Sequence, residues 1–303
     1  MKKAILGLTN ANTDIIGNIT EEKLKELGLR KGEANGRPWF NPYDIMNGVK
    51  KIPGGSPANV VAGASYLGLK GKCGLMGTVG DDEIGRMYIE DVEKNGIINY
   101  FSVEKGKSSV CYLFVTPDGE RTSVYELGVC GNYEIDFEAI EDFYIFHTAA
   151  YESVTNLDRA WEAMEYASRH GVKVSFDLSD PAAVRKYRPM FDDILEVVDI
   201  LFANEHEARE LTGLEPKEAV EELKEYCEIA IVKMGAKGSY VKGKELYKIP
   251  KYPCNLVNTT GAGDAYAAGF LYGYVKGFSL ERCGHKGSEF AAKVCEKDGA
   301  RII

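Results

Sequence analysis

This sequence is short of several things, and each shortage argues against a class of protein. Its 303 residues hold only four histidines, and its seven cysteines (Cys73, Cys111, Cys130, Cys227, Cys254, Cys283 and Cys295) include no C-x-x-C pair. That speaks against structural zinc and against a disulfide framework. Residues 1–10 carry two lysines and then only a short apolar run, which reads as a first β-strand and not as a secretory leader. An odd cysteine count without such a leader points to a reducing compartment, the cytoplasm. Nowhere do about 18 apolar residues follow one another, so no membrane span is expected. Basic clusters are missing too: 37 Lys and Arg stand against 46 Asp and Glu, a formal net charge of −9, and such a chain repels a nucleic-acid backbone. What it has in quantity is core material. With 45% hydrophobic residues in 303, it can bury roughly three quarters of its unfolded surface without a metal or a disulfide.

Short strand-like apolar runs alternate with runs of helical period, the pattern of βαβ units on a parallel sheet. Strands are expected at 4–9, 72–79, 144–147, 172–178, 199–203 and 229–233, and helices at 57–67, 82–95, 157–170, 184–197 and 216–226. The first of these helices starts at a Ser56-Pro57 cap, and Gly96 closes the second. The fold class is α/β, a doubly wound, mostly parallel sheet flanked by helices, with residues 1–303 as a single domain. Two segments break the alternation. Residues 21–51 are polar and irregular, while 108–127 alternate apolar and polar residues around Thr116-Pro117-Asp118-Gly119, a hairpin turn. A hairpin does not belong inside a parallel sheet, so parts of about 12–52 and 98–127 are expected to form a small antiparallel β appendage, either decoration or a lid over a site.

The densest glycine signal is Asn258-Thr259-Thr260-Gly261-Ala262-Gly263-Asp264, after which small residues recur at helical spacing. Gly261, Ala262 and Gly263 then form a helix N-terminus, where free N–H groups and the helix dipole favour an anion. A carboxylate at Asp264 repels that anion unless it takes a proton from a hydroxyl attacking a phosphate. The plain alternative is an Asp that caps the helix. In the second cluster, Pro53-Gly54-Gly55-Ser56-Pro57-Ala58-Asn59, paired glycines admit a ligand close to the backbone and Asn59 offers both donor and acceptor to a sugar hydroxyl; otherwise it is a loop-to-helix turn. Asp14, past the first strand, can accept from a vicinal diol or serve a turn. Asn204 and Glu207 offer oxygen donors to Mg²⁺ and its waters, or cap a helix. Lys233-Met234-Gly235-Ala236-Lys237-Gly238 suits nucleotide phosphates, or is a solvated turn. Familiar motifs fail: a P-loop ending at Gly106-Lys107-Ser108 would need glycine at Phe101, a dinucleotide fingerprint would need it at Tyr266, and His206-Glu207 has no second histidine at zincin spacing.

In this order the segments resemble the ribokinase-like (PfkB) family of carbohydrate and nucleoside kinases over essentially the whole chain. Gly54 to Asn59 through Gly77-Thr78-Val79-Gly80-Asp81-Asp82-Glu83-Ile84-Gly85 is similar to that family's N-terminal signature, and Asn258 to Asp264 to its C-terminal one. The resemblance implies that Asp264 is the general base and that Gly261, Ala262 and Gly263 hold the transferred phosphoryl group. It places Asn204 and Glu207 with Mg²⁺, and Lys233, Gly235, Gly238, Thr260 and Asn204 on the nucleotide side. Asp14, Gly54, Gly55 and Asn59 fall at the sugar hydroxyls. Within the family the adenosine-kinase branch is the most similar, through the 21–51 insertion, Phe176-Asp177-Leu178-Ser179-Asp180-Pro181 and the run from Val198 to Glu205. Arg121 and Tyr151 fall near that branch's nucleoside pocket. ATP and Mg²⁺ are the implied cofactors. K⁺ is opposed by Asn258, which stands where the family usually has Asp, since losing a formal charge weakens a monovalent-cation site.

The expected activity is ATP-dependent phosphorylation of the 5'-hydroxyl of adenosine or a related nucleoside. The alternative within the family is a kinase of a free sugar or sugar phosphate such as ribose, fructose or ribose 1-phosphate. A silent nucleoside-binding protein and a dinucleotide oxidoreductase are rivals from other classes; the intact Asp264 and glycine turn oppose the first, the missing fingerprint the second. The expected partners are a small substrate and ATP, with no nucleic acid and no membrane, in a monomer or a homodimer formed through the lid.

Overall fold

Strands buried on both faces are largely apolar, as two here are: Cys73–Gly80 is buried at every residue, with the Thr78 hydroxyl hydrogen-bonded, and Lys3–Leu8 at every residue after its first. A computed structural model describes residues 2–301 apart from Ala34, residues 151–154 and Asp298. Its strands are β1 (Lys3–Leu8), β2 (Thr13–Asn18), β3 (Asn47–Pro53), β4 (Cys73–Gly80), β5 (Ile98–Glu104), β6 (Val110–Val115) and β7 (Arg121–Glu126), followed by β8 (Phe143–Ala149), β9 (Lys173–Asp177), β10 (Ile200–Asn204), β11 (Ile229–Lys233), β12 (Ser239–Lys242) and β13 (Leu246–Ile249).

Nine of them form the main sheet in the order β13-β12-β11-β10-β9-β8-β1-β4-β5, with all neighbours parallel except at β11–β12 and β12–β13. Helices cover both faces, as a doubly wound sheet requires. On one face Phe146, Phe176 and Leu201 pack with Met164 and Phe191; on the other Ile5, Ile231 and Phe202 pack with Val61, Phe270 and Phe290. Among the described residues no helix is long and apolar enough to cross a membrane.

The remaining four strands make a small sheet, β3-β2-β6-β7, with its own core of Ile15, Leu24, Met46, Phe114 and Val124. It is not wholly antiparallel. β2 and β6 pair in parallel, Thr13 opposite Val110, because β2 continues from β1 and β6 from β5, two strands that leave the main sheet pointing the same way. β5 pairs along β4 as the main sheet's edge, so of residues 98–127 the small sheet takes only Val110–Val115 and Arg121–Glu126.

Three local expectations also change. The run 184–197 is two helices, Pro181–Lys186 and Arg188–Leu195, broken at Tyr187; Pro189 has no N–H to continue the first helix's ladder and sits in the first turn of the second. Residues 21–51 contain a helix, Glu21–Glu26, capped by Thr20, besides β3. The Ser56–Ala64 helix is entered through Gly55 at φ 93, with no side-chain cap, and the Ser56 hydroxyl is committed elsewhere.

Candidate active site

The carboxyl ends of β1, β9, β10 and β11 open on one side of the main sheet, where open α/β sheets bind ligands, and most of the chemistry-bearing residues collect there. Gly261 turns the chain into the Ala262–Val275 helix at φ 75, a conformation that favours glycine, and a Cβ there would stand 2.7 Å from the Ala300 Cα. Asp264 lies in that helix's first turn, yet it is not a cap. Its Oδ1 accepts from the Ser56 hydroxyl at 2.8 Å and its Oδ2 from the Asn59 side-chain amide at 2.8 Å. Burial pushes the Asp264 carboxyl up to about 6, against the pull of those two hydrogen bonds.

Two cavities meet at this point. The first, of about 650 Å³, is lined by Asp177, Asn204, Glu207, Lys233, Ala262 and Asp264 at its inner end and by Tyr252 and Leu256 at its rim. The second, of about 570 Å³, is lined by the polar side chains of Asn12, Asp14 and Ser109 and by the apolar or aromatic ones of Tyr125, Leu127 and Tyr187. Ser56 lines both cavities, so the carboxylate it binds stands at their junction. Burial pushes the Asp14 carboxyl to about 6 even though Arg301 and Arg121 draw it down.

The floor of the first cavity is an ion-pair cluster. Lys233 Nζ donates to Asp177 Oδ2 at 2.6 Å, with both side chains largely buried. Burial works against the charged Lys233, but Asp177 and Glu207 outweigh it and hold its pKa above the ordinary value. A Cβ on Gly263 would stand 3.4 Å from that ammonium, so Lys233 reaches the glycine turn as well. Glu207, buried, accepts from the Asn204 backbone N–H at 2.7 Å and from its side-chain amide at 2.5 Å, while Asn204 Oδ1 accepts from the N–H groups of His206 and Glu207. Burial, and then the charge of Asp177, pushes the Glu207 carboxyl to about 7.

Gly235 and Gly238 line the first cavity, and Gly55 the second. Gly54 binds Asn12 through its N–H at 2.7 Å, and its carbonyl accepts from the Tyr88 hydroxyl at 2.8 Å. Arg121 on β7 donates to the Thr260 hydroxyl at 2.8 Å, which joins the small sheet to the glycine turn and gives Thr260 a neighbour other than the nucleotide. Asn59 is engaged by Asp264 and Arg301, and its amide does not line the acceptor cavity. Tyr151 lies outside the described residues. Sequence reasoning gave Ser56 only a helix cap, and gave Asp177 and Arg301 no role. Ser56 and Asp177 sit inside motifs already quoted, whereas nothing near Arg301 in sequence signals the Asn59 contact 242 residues away.

Residues 32–303 match the family described as pfkB family carbohydrate kinase. The chain belongs to the pfkB family. Among curated relatives of this pfkB kinase, an uncharacterized sugar kinase of Archaeoglobus fulgidus is 34% identical over 245 residues, covering 79% of this chain and 96% of the relative. An ATP-dependent ribose-1-phosphate kinase of Halopiger xanaduensis is 34% identical over 260 residues, 82% of each chain. The solved structure of adenosine kinase from Sinorhizobium meliloti superposes with a TM-score of 0.88 at 32% identity, over 100% of this chain and 97% of that one. The mostly parallel sheet with a small second sheet is thus shared with that adenosine kinase structure.

Proposed function

We propose that this pfkB-family kinase transfers the γ-phosphoryl group of ATP to the 5'-hydroxyl of a nucleoside, adenosine being the first acceptor to test. The observation that carries this reading is the mixed polar and aromatic lining of the second cavity. Asn12, Asp14 and Ser109 offer hydrogen-bonding groups suited to a ribose, while Tyr125, Leu127 and Tyr187 offer an apolar, aromatic surface on which a flat base can lie. A free pentose has nothing to set against that second surface.

In the proposed step Asp264 takes the proton of the 5'-hydroxyl. The new bond forms between the 5' oxygen and the γ phosphorus, the bond from that phosphorus to the β,γ-bridging oxygen breaks, and ADP leaves. Charge on the transferring group faces the N-terminal amides of the Ala262–Val275 helix and the Lys233 ammonium; phosphoryl transfer depends mainly on such placement and electrostatics. Among the described residues no three His, Cys, Asp or Glu side chains cluster as a metal cage. That agrees with Mg²⁺ arriving on the nucleotide and keeping much of its water, with Asn204 and Glu207 oriented by each other to hold those waters. The ion would supply neutralising charge on the phosphates. Asn258 brings no formal charge and its Oδ1 already accepts from the Thr260 N–H at 2.9 Å, so K⁺ activation is not proposed. The Arg121 bond to Thr260 supports the small sheet as a lid, which would exclude water that competes as phosphoryl acceptor.

A second reading has two observations in its favour: the sugar kinase and ribose-1-phosphate kinase among the relatives, and a cation in the cavity. Lys186 lines the acceptor cavity and is a cation that a sugar phosphate can use. Mass-spectrometric phosphorylation assays with ATP across adenosine, inosine, guanosine, cytidine, ribose, ribose 1-phosphate and fructose decide between the two. A nucleoside reacting far faster than every sugar upholds the proposal; turnover confined to a sugar or sugar phosphate overturns it and makes Lys186 the determinant to replace. In parallel, Asp264→Asn should retain ATP binding and lose turnover by at least about 10²- to 10⁴-fold, the range for removing an acid–base group.

A further inference from the structure

Arg301 carries a charge that no step above uses, and only 8% of its side chain is exposed. Its Nε donates to Asn59 Oδ1 at 2.6 Å, its Nη1 to Asp91 Oδ2 at 3.2 Å and its Nη2 to the Gly54 carbonyl at 3.3 Å. Asn59 therefore stands between Arg301 and Asp264. A guanidinium has donors only, and an ionised carboxylate has acceptors only. One orientation of the Asn59 amide satisfies both neighbours, with its oxygen on Arg301 and its NH₂ on Asp264. The reversed orientation would set an NH₂ against the guanidinium and an oxygen against the carboxylate. Without Arg301, half of that constraint is gone. The same guanidinium grips the carbonyl of Gly54, in the loop beside Asp14, where a Cβ on Gly54 would meet Asp14 Oδ2 at 3.0 Å.

We propose that Arg301 is a positioning residue for phosphoryl transfer: it locks the Asn59 amide with its NH₂ on Asp264 and holds the Gly54 loop beside Asp14, so that base and acceptor site keep one geometry. This rests on the reading of Asp264 as the general base. The charged and titratable groups around the pair are few enough to name. Asp264 faces Lys233 of β11, Asp177 of β9 and Asp14 of β2, besides Ser56 and Asn59. Asp14 faces Arg301, Arg121 of β7, Asn12, Cys111 of β6 and Asp264. The Asn59 bond favours ionised Asp264 and the Arg301 charge favours ionised Asp14, so removing Arg301 makes both carboxyls keep their protons to higher pH.

A merely structural role is the rival, in which Arg301 pins the chain to the Glu83–Lys94 helix through Asp91. The two separate in pH–rate profiles of kcat for Arg301→Met, Arg301→Lys and Asp91→Asn, with melting temperature and ATP affinity measured alongside. In Arg301→Met, kcat should fall roughly 10²-fold, the cost of a misplaced catalytic group, with ATP affinity unchanged. The acid limb should also move up by about one pH unit. Arg301→Lys keeps the charge that Asp14 faces but not the fork that orients Asn59, so kcat/KM should recover more than kcat. Asp91→Asn leaves Arg301 on Asn59 and should leave the limb in place. An unmoved limb in Arg301→Met, or an equal upward shift in Asp91→Asn, overturns the proposal. Should Arg301→Met fail to fold, Arg301→Lys decides: wild-type kcat refutes the role, and reduced kcat at unchanged ATP affinity upholds it. If Asp264→Asn keeps its turnover, the base reading itself fails; if it loses turnover while Arg301→Met keeps the wild-type limb, only the role of Arg301 falls.

Discussion

Acid should switch this kinase off while the fold is intact. With the Asp264 carboxyl at about 6, roughly nine tenths of it is ionised at about pH 7 and one tenth at about pH 5, so kcat should drop about tenfold across that window. The two kinetic constants should differ in steepness. In the free enzyme Asp14, also at about 6, must be ionised to accept hydrogen bonds from the acceptor, so kcat/KM needs two deprotonated carboxyls and should fall toward a hundredfold. The Asp264 charge raises Asp14, so the kcat/KM limb belongs to the pair and not to either residue. Stability moves the other way. A carboxyl whose folded pKa lies above its unfolded value binds its proton more tightly in the native state, so between the ordinary carboxylate value and about 6 the fold gains stability as pH falls while activity is lost. The assay is the initial rate of phosphorylated product by mass spectrometry, at saturating Mg²⁺ and with melting temperature recorded at each pH. A kcat that stays level down to about pH 5, or a limb near the ordinary carboxylate value of about 4, would refute the placement of a buried base at the junction.

Three substitutions probe other parts of the site. Gly261→Ala puts a side chain at φ 75 and a Cβ 2.7 Å from Ala300 Cα, so thermal unfolding should report a loss of about 1–3 kcal/mol or more, with turnover falling further than stability. Lys233→Met leaves the buried Asp177 carboxylate without its 2.6 Å partner and should cost about 3–5 kcal/mol of stability in denaturant titrations, together with most of the ATP affinity; an unaffected unfolding midpoint would remove the pair from the account. Glu207→Gln should raise the Mg²⁺ concentration giving half-maximal rate by about 10- to 100-fold at unchanged acceptor KM. In the wild type that concentration should climb as pH falls through about 7, where Glu207 gains its proton and loses its charge.

The main sheet was legible because periodicity reports burial: β11 sits at Ile229–Lys233 as read, and β1, β4, β8, β9 and β10 lie within a few residues of expectation. The small sheet was legible only as a hairpin. Its central parallel pairing of β2 with β6 joins segments almost 100 residues apart, and alternation within a strand says nothing of its partner's direction. At the site, Asp264, Asn204, Glu207 and Lys233 were visible because each follows a strand or a glycine turn with a local signature. The company they keep was not. Asp177 pairs with Lys233 and Arg301 with Asn59 across the tertiary fold, and an arginine or aspartate in isolation carries no mark of its partner.

The passages between the two sheets are tied to one another. Thr13 N–H donates to the Ser109 carbonyl at 3.0 Å, the Ser109 hydroxyl to Asn12 Oδ1 at 3.0 Å, Gly54 N–H to the Asn12 carbonyl at 2.7 Å and Val129 N–H to the Lys107 carbonyl at 2.9 Å. The chain crosses between sheets several times, and the first three of these bonds tie the crossings at Asn12, Gly54 and Ser109 to one another. Tyr125 and Leu127 line the cavity but take no part in these ties, so they can be exchanged to suit a different acceptor while the crossings keep their bonds.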